Sequence, residues 1–213
     1  MKIVFIVVDT LRADHLGCYG YGKNTSPDID KLAREGVIFT RAYASDVPTQ
    51  PSHTAMLTGQ RGVKTGIVSH SSSEDLGRDA PWLPEILAAH GYATAMVSTL
   101  YMMRRWFVRG FQYYLNPFAG KPRALLQQID ADDINAFAIP WIRSHAEKDF
   151  FIYVHYWDPH TIYLPPEPYR TMFYKGDDPT NPANRSLDSL KSCLLYTSDA
   201  ADELDGVDLG GRR

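Results

Sequence analysis

The run Ile3-Val4-Phe5-Ile6-Val7-Val8 is uninterrupted by any polar residue and stops at Asp9. A β-branched and aromatic run without polar alternation is how a strand covered on both faces of a parallel sheet reads. The acid at its end then stands at the carboxyl edge of that sheet, where α/β proteins build their sites. The run is too short for a membrane span, or for a signal-peptide core with its cleavage site, so the sequence predicts a cytoplasmic protein with no membrane segment.

Beyond Asp9 the chain alternates helix and strand. Ser26-Pro27-Asp28 carries a capping residue, a first-turn proline and an early acid; Ile29, Leu32 and Ala33 supply an apolar stripe and Gly36 a stop. Val37 to Phe39 reads as a short strand. Pro51 opens a second helix, with Ala55, Met56 and Leu57 apolar and Gly59 as its stop. A helix over about 82–90 precedes Gly91 and a strand from Tyr92 to Val97. Asp130 to Ala146 places Ile134, Phe137, Ala138, Trp141 and Ile142 at helical spacing, with Pro140 as a potential kink, before a strand from Phe150 to His155. The order is α/β throughout. With 213 residues, 44% of them hydrophobic, the chain is long enough for one such core and short for two. Tyr163 to Pro168 is a proline-ruled loop.

The two cysteines, Cys18 and Cys193, are too few and too far apart for a disulfide framework or a thiolate metal site, and Cys18 is expected to be buried filler. From Cys193 the pattern changes. Cys-Leu-Leu-Tyr-Thr-Ser-Asp-Ala-Ala-Asp-Glu can be written in codons that resemble a transposase sequencing adapter, and Val207 to Arg213 fits the same reading. Residues 193–213 are therefore set apart from the fold, as a cloning scar would be. That tail holds five acids and two arginines, so 25 acids less five and 22 bases less two leave 20 of each, and the net charge of −3 becomes zero. No basic field remains to argue for nucleic acid or for a membrane surface.

Three segments carry chemistry. The first is Val8-Asp9-Thr10-Leu11-Arg12-Ala13-Asp14-His15, continued by Cys18-Tyr19-Gly20-Tyr21. The second is Thr49-Gln50-Pro51-Ser52-His53-Thr54-Ala55-Met56-Leu57-Thr58-Gly59. The third is the strand ending in His155-Tyr156-Trp157-Asp158-Pro159-His160. A carboxylate at a strand end suits a hard divalent cation, which prefers rigidly held oxygen. A hydroxyl such as that of Thr49 is a poor nucleophile near neutrality until a cation or base stabilises its alkoxide, and the amide dipoles of a helix that begins there favour that charge. The plain alternatives are that Asp9 is a strand-end turn acid, Thr49 a helix cap, His53 a packed helix histidine and His70 a surface histidine.

Together the three segments resemble the sulfatase-like branch of the alkaline phosphatase superfamily, over essentially the whole stretch from Lys2 to about Tyr169. The resemblance implies an alkaline-phosphatase-like three-layer sandwich with a mostly parallel central sheet, residues 1–192 forming its N-terminal part. It implies a hydrolase of sulfate or phosphate esters that needs a divalent cation (Ca, Mg, Mn or Zn), with Asp9 and Thr49 as metal ligands. Thr49 stands where sulfatases carry the cysteine or serine that becomes formylglycine. Formylglycine is therefore not expected, and the match tilts toward threonine-nucleophile relatives acting on phosphate esters. In many relatives a second acid comes directly after the first; here it is Thr10. His53 replaces an arginine, exchanging a permanent cation for an imidazole that can donate a hydrogen bond or bind a metal. His160 is implied to contact the transferred group and protonate the leaving alcohol, an effect typically worth about a hundredfold to ten-thousandfold. His70 is a candidate for binding substrate. His155, inside the strand, is expected to make a structural hydrogen bond, and Asp158 to be a turn residue or a partner of the histidine. The lysine that relatives carry after the strand ending at Val97 is missing, Ser98-Thr99 standing there instead; Lys64, Arg104 and Arg105 are not distinguished as substitutes.

Further metal ligands of the family lie on a later strand end, beyond Ser192. One carboxylate and Thr49 alone hold a cation poorly, so the chain by itself is expected to be inactive. The implied substrate is a small-molecule, lipid or sugar ester. A phosphotransferase acting on an alcohol acceptor and a non-catalytic anion-binding module are the alternative readings.

Overall fold

The computed structural model describes residues 1–70, 75–118, 129–160, 165–170 and 172–173. The expected tail from 193 and most of the loop after His160 lie outside these residues. Four strands, β1 (Lys2–Val8), β2 (Ala93–Val97), β3 (Tyr113–Leu115) and β4 (Phe150–Tyr156), form one sheet in the order β1-β4-β2-β3. Every pairing is parallel. Parallel neighbours require crossovers, and helices α1 (Pro27–Glu35), α2 (Thr49–Thr58), α3 (Gly62–Thr65), α4 (Leu83–Ala89) and α5 (Ala131–Ser144) lie along them.

Strand parity divides the interior into two cores. Phe5 and Val7 of β1, Met96 of β2, and Phe151 and Tyr153 of β4 face Leu57, Trp82, Trp106 and Phe107. Ala95, Val97, Phe150, Ile152 and Val154 face Ile134, Ala138 and Trp141 of α5. A sheet with helices on both faces is the expected α/β sandwich. Helix α5 follows its sequence closely. Asp130 accepts the Asp133 N–H at 2.9 Å and Asp133 accepts the Asp130 N–H at 3.3 Å, a capping box that closes the first turn. Helix α2 ends as expected at Gly59, whose φ of 66° is open to glycine and whose N–H reaches Ala55 O at 2.8 Å.

Several expectations are corrected. β1 is not covered on both faces: Val4 and Ile6 are 45% and 57% exposed, because α5 packs mainly over β4 and β2. Val37 to Phe39 is not a strand; no neighbour among the described residues pairs with it, and Val37 and Phe39 are exposed. Ile29 and Leu32 of the α1 stripe are exposed too, and the Ser26 hydroxyl donates to Asp30 and accepts from the Gly17 N–H instead of capping the helix. β3 was not expected as a strand. Helix α2 starts at Thr49, two residues before Pro51. Cys18 is only half-buried. Among the described residues no helix is long and apolar enough to cross a membrane.

Candidate active site

The site grows out of strand register. Val7 pairs with His155 across β1 and β4, and residues two apart on a strand share a face. Asp9 therefore stands above Val7 on the face that carries Tyr153 and His155, and its N–H extends the ladder to Tyr156 O at 2.9 Å. His155 Nε2 lies 3.3 Å from Asp9 Oδ2. Helix α2, packed on this face through Leu57, brings His53 Nε2 to 3.9 Å from the same oxygen. The two imidazole centroids are 4.7 Å apart and their planes cross at 70°. All three residues are buried, and their ligand atoms lie within 4.8 Å of one another.

The outer nitrogens are held as well. The Tyr153 hydroxyl is 2.6 Å from His53 Nδ1. Ser98 Oγ is 3.1 Å from His155 Nδ1 and accepts the Leu100 N–H at 3.0 Å. Two indoles brace the surroundings: Trp106 Nε1 donates to Thr54 Oγ1 at 3.2 Å, beside His53 on α2, and Trp157 Nε1 donates to Thr99 Oγ1 at 2.8 Å. Such outer bonds fix ring orientation at a metal or catalytic site.

Charge follows from burial. Desolvation alone would raise the Asp9 pKa, but the hydrogen bond and charge of His155, with the charges of His53 and His160, outweigh it and hold the carboxyl below its ordinary value. Burial, then repulsion from His155, pushes His53 down to about 3, with Asp9 opposing only in part. His53 is thus a neutral imidazole and not a replacement for an arginine's charge. Burial and the Asp9 charge keep the Tyr153 phenol protonated.

Thr49 lies in the first turn of α2 and is buried. It precedes His53 by four residues, so the two share one helix face a turn apart. The cap position belongs to Pro48, which corrects the reading of Thr49 as the cap. His160 is buried, its N–H bonded to Trp157 O at 2.7 Å and its ring edge-on to Trp157. Its charge is among those acting on Asp9. Asp158 turns toward the start of α5, where the Ala131 N–H reaches its carboxyl, a turn role. His70 is half-buried and its carbonyl accepts from Arg104 Nη2 at 3.0 Å. His155 makes hydrogen bonds of the expected kind, and one of them joins Asp9 directly. Tyr153 and Ser98 were not foreseen. The one sequence sign of them is their spacing: Tyr153 precedes His155 by two residues, and Ser98 comes just after the strand, at the place of the missing lysine.

These donors fit a divalent cation. One carboxylate and two imidazoles converge, and the next residues along the chain add unsatisfied oxygens: Thr10 Oγ1 and Gln50 Oε1 are buried with no hydrogen-bond partner. Thr10 has φ 53°, the one non-glycine residue with positive φ among those described. That conformation costs a β-branched residue about 1–3 kcal/mol and clusters at functional sites.

The Sulfatase family model matches residues 2–204. The chain is 32% identical over 196 residues to an N-acetylgalactosamine-6-O-sulfatase of Bacteroides thetaiotaomicron, covering 89% of this chain and 36% of that protein. It is 38% identical over 99 residues to arylsulfatase A of Homo sapiens, covering 45% and 20%. It superposes with a TM-score of 0.62 and 20% identity on a protein in the alkaline phosphatase superfamily from Vibrio parahaemolyticus, covering 94% of this chain and 48% of that one. The chain spans between 20% and 36% of the length of these two curated relatives.

Proposed function

Because the chain belongs to the sulfatase family, we propose that it carries the nucleophile end of a metal-dependent hydrolase of phosphate or sulfate esters, working through a covalent intermediate on unmodified Thr49. The observation that carries this reading is the placement of Thr49 in the buried first turn of α2, on the helix face that presents His53 to Asp9.

In the proposed cycle the Thr49 oxygen attacks phosphorus or sulfur. The new bond to Thr49 forms as the bond to the alcohol oxygen breaks, and His160 gives that oxygen its proton. Water then attacks the same atom, cleaving the bond to Thr49 and releasing phosphate or sulfate, while His160 takes back a proton. The α2 amide dipoles favour negative charge at Thr49. A divalent cation held by Asp9 and its neighbours would supply further positive charge for the ionised hydroxyl. Thr49 favours phosphorus, since an unmodified threonine offers no formylglycine. A sulfated amino sugar is the second reading, supported by the likeness to an N-acetylgalactosamine-6-O-sulfatase along most of this chain.

The test is turnover of an aryl phosphate, an aryl phosphodiester, an aryl sulfate and 6-sulfated N-acetylgalactosamine by the full-length protein, with and without chelator and added alcohol. Expected are chelator-sensitive hydrolysis fastest on a phosphate substrate, a phosphoryl group trapped on the Thr49 peptide in mass spectra, and loss of at least about a thousandfold in kcat for Thr49→Ala. Sulfate ester turnover with formylglycine absent supports the second reading. Transfer to the alcohol in place of water identifies a phosphotransferase, and binding of phosphate without any turnover overturns the catalytic reading.

A further inference from the structure

We infer that His53 and His155 are direct nitrogen ligands which, with Asp9, form a site selecting a borderline transition cation of the Zn(II) class over Ca(II) or Mg(II). The inference rests on the metal dependence proposed for the Asp9 and Thr49 site and goes beyond it by naming two ligands and the class of metal.

The convergence of three buried donors on one point argues for ligation beyond a single hydrogen bond. A charged carboxylate and an imidazole N–H ordinarily close to about 2.7–2.9 Å, yet His155 Nε2 stands 3.3 Å from Asp9 Oδ2 and His53 Nε2 stands 3.9 Å away. The donor atoms of the three residues lie within 4.8 Å of one another, and the 3.3 Å between His155 Nε2 and Asp9 Oδ2 is the one separation that matches neighbouring ligands about 2.0 Å from a tetrahedral Zn(II). The outer shell agrees. His53 Nδ1 faces Tyr153 Oη and His155 Nδ1 faces Ser98 Oγ, so each ring can place its proton on Nδ1, donate it outward and leave Nε2 free as a lone pair. Two imidazole ligands beside a carboxylate favour Zn(II) over Ca(II), whose usual shell is oxygen alone.

The experiment is titration of the metal-free 213-residue chain with Zn(II) and with Co(II), read by X-ray absorption and by the visible Co(II) spectrum, with Ca(II) as competitor. Expected are one tightly bound ion per chain, imidazole scattering from two rings, and no displacement by a hundredfold excess of Ca(II). His53→Gln and His155→Gln are expected to weaken binding by more than a hundredfold, Tyr153→Phe by about 10–100-fold, and His90→Gln, on the exposed end of α4, not at all. Absorption spectra without imidazole scattering, or release of the ion by Ca(II), overturn the inference on the unaltered chain whatever the variants do. The two readings fail separately. Thr49-dependent turnover supported by Ca(II) without imidazole ligation would remove this inference and keep the enzyme, whereas imidazole-bound Zn(II) in a protein that turns over no ester would do the reverse.

Discussion

His53 shows how burial decides what a residue can be. An arginine at this point of α2 would stay charged in any environment, but an imidazole 3% exposed, facing a second imidazole, sheds its proton. The consequence for stability has a definite sign. As pH falls below the ordinary histidine value of 6.5, the unfolded chain takes up a proton that the native metal-free protein refuses until about 3. The unfolded state then binds more protons, so this contribution is full above about 6.5 and drains away as pH falls toward about 3. Asp9, held below its ordinary value, adds a loss of the same sign at the acid end. Urea midpoints of the chelator-treated protein are expected to fall through this window, and His53→Gln should flatten the upper part of the decline. A midpoint that holds steady from neutral to mildly acid pH would show that His53 is protonated in the native state.

Elements were legible where local chemistry decides them. The caps and stripe of α5 are written in consecutive residues, so its start at Ala131 differs from expectation by one position, and Asp130→Ala is expected to cost about 1 kcal/mol in urea unfolding with an unchanged m-value. The apolar run at Val37 to Phe39 has strand propensity too, but propensity is realised only against a neighbour, and here none is provided. β3 was missed for the opposite reason: three residues are too short a pattern, and the pairing with β2 makes them a strand. The site follows the same division. Asp9, Thr49, His53 and His160 stood out by motif. His155 did not, because its meeting with Asp9, 146 positions away, depends on the register between β1 and β4 and on no local feature. Ser98 and Tyr153 likewise gain their parts only once the sheet order sets β2 beside β4.

At the scale of the whole molecule, the sheet is covered unevenly. β1 is its outer strand, so one side of its backbone ladder has no strand partner among the described residues, and Val4 and Ile6 turn apolar side chains outward beside it. Exposed Leu32, Val37 and Phe39 add apolar surface elsewhere in the same N-terminal region. Isolated apolar residues on a surface are ordinary, but an open strand edge flanked by them is a template for pairing with another chain. The 213-residue chain is therefore expected to self-associate at micromolar concentration and to bind a hydrophobic dye while folded. Because Val4 and Ile6 are already about half exposed, the double variant Val4→Lys, Ile6→Lys should change unfolding free energy by no more than about 1 kcal/mol, while charge on the edge strand should raise the concentration at which association begins about tenfold or more. Sedimentation velocity across a dilution series reads both proteins. A wild-type chain that stays monomeric and dye-free would mean that this face is already covered, whereas association suppressed by the two lysines would locate it at β1.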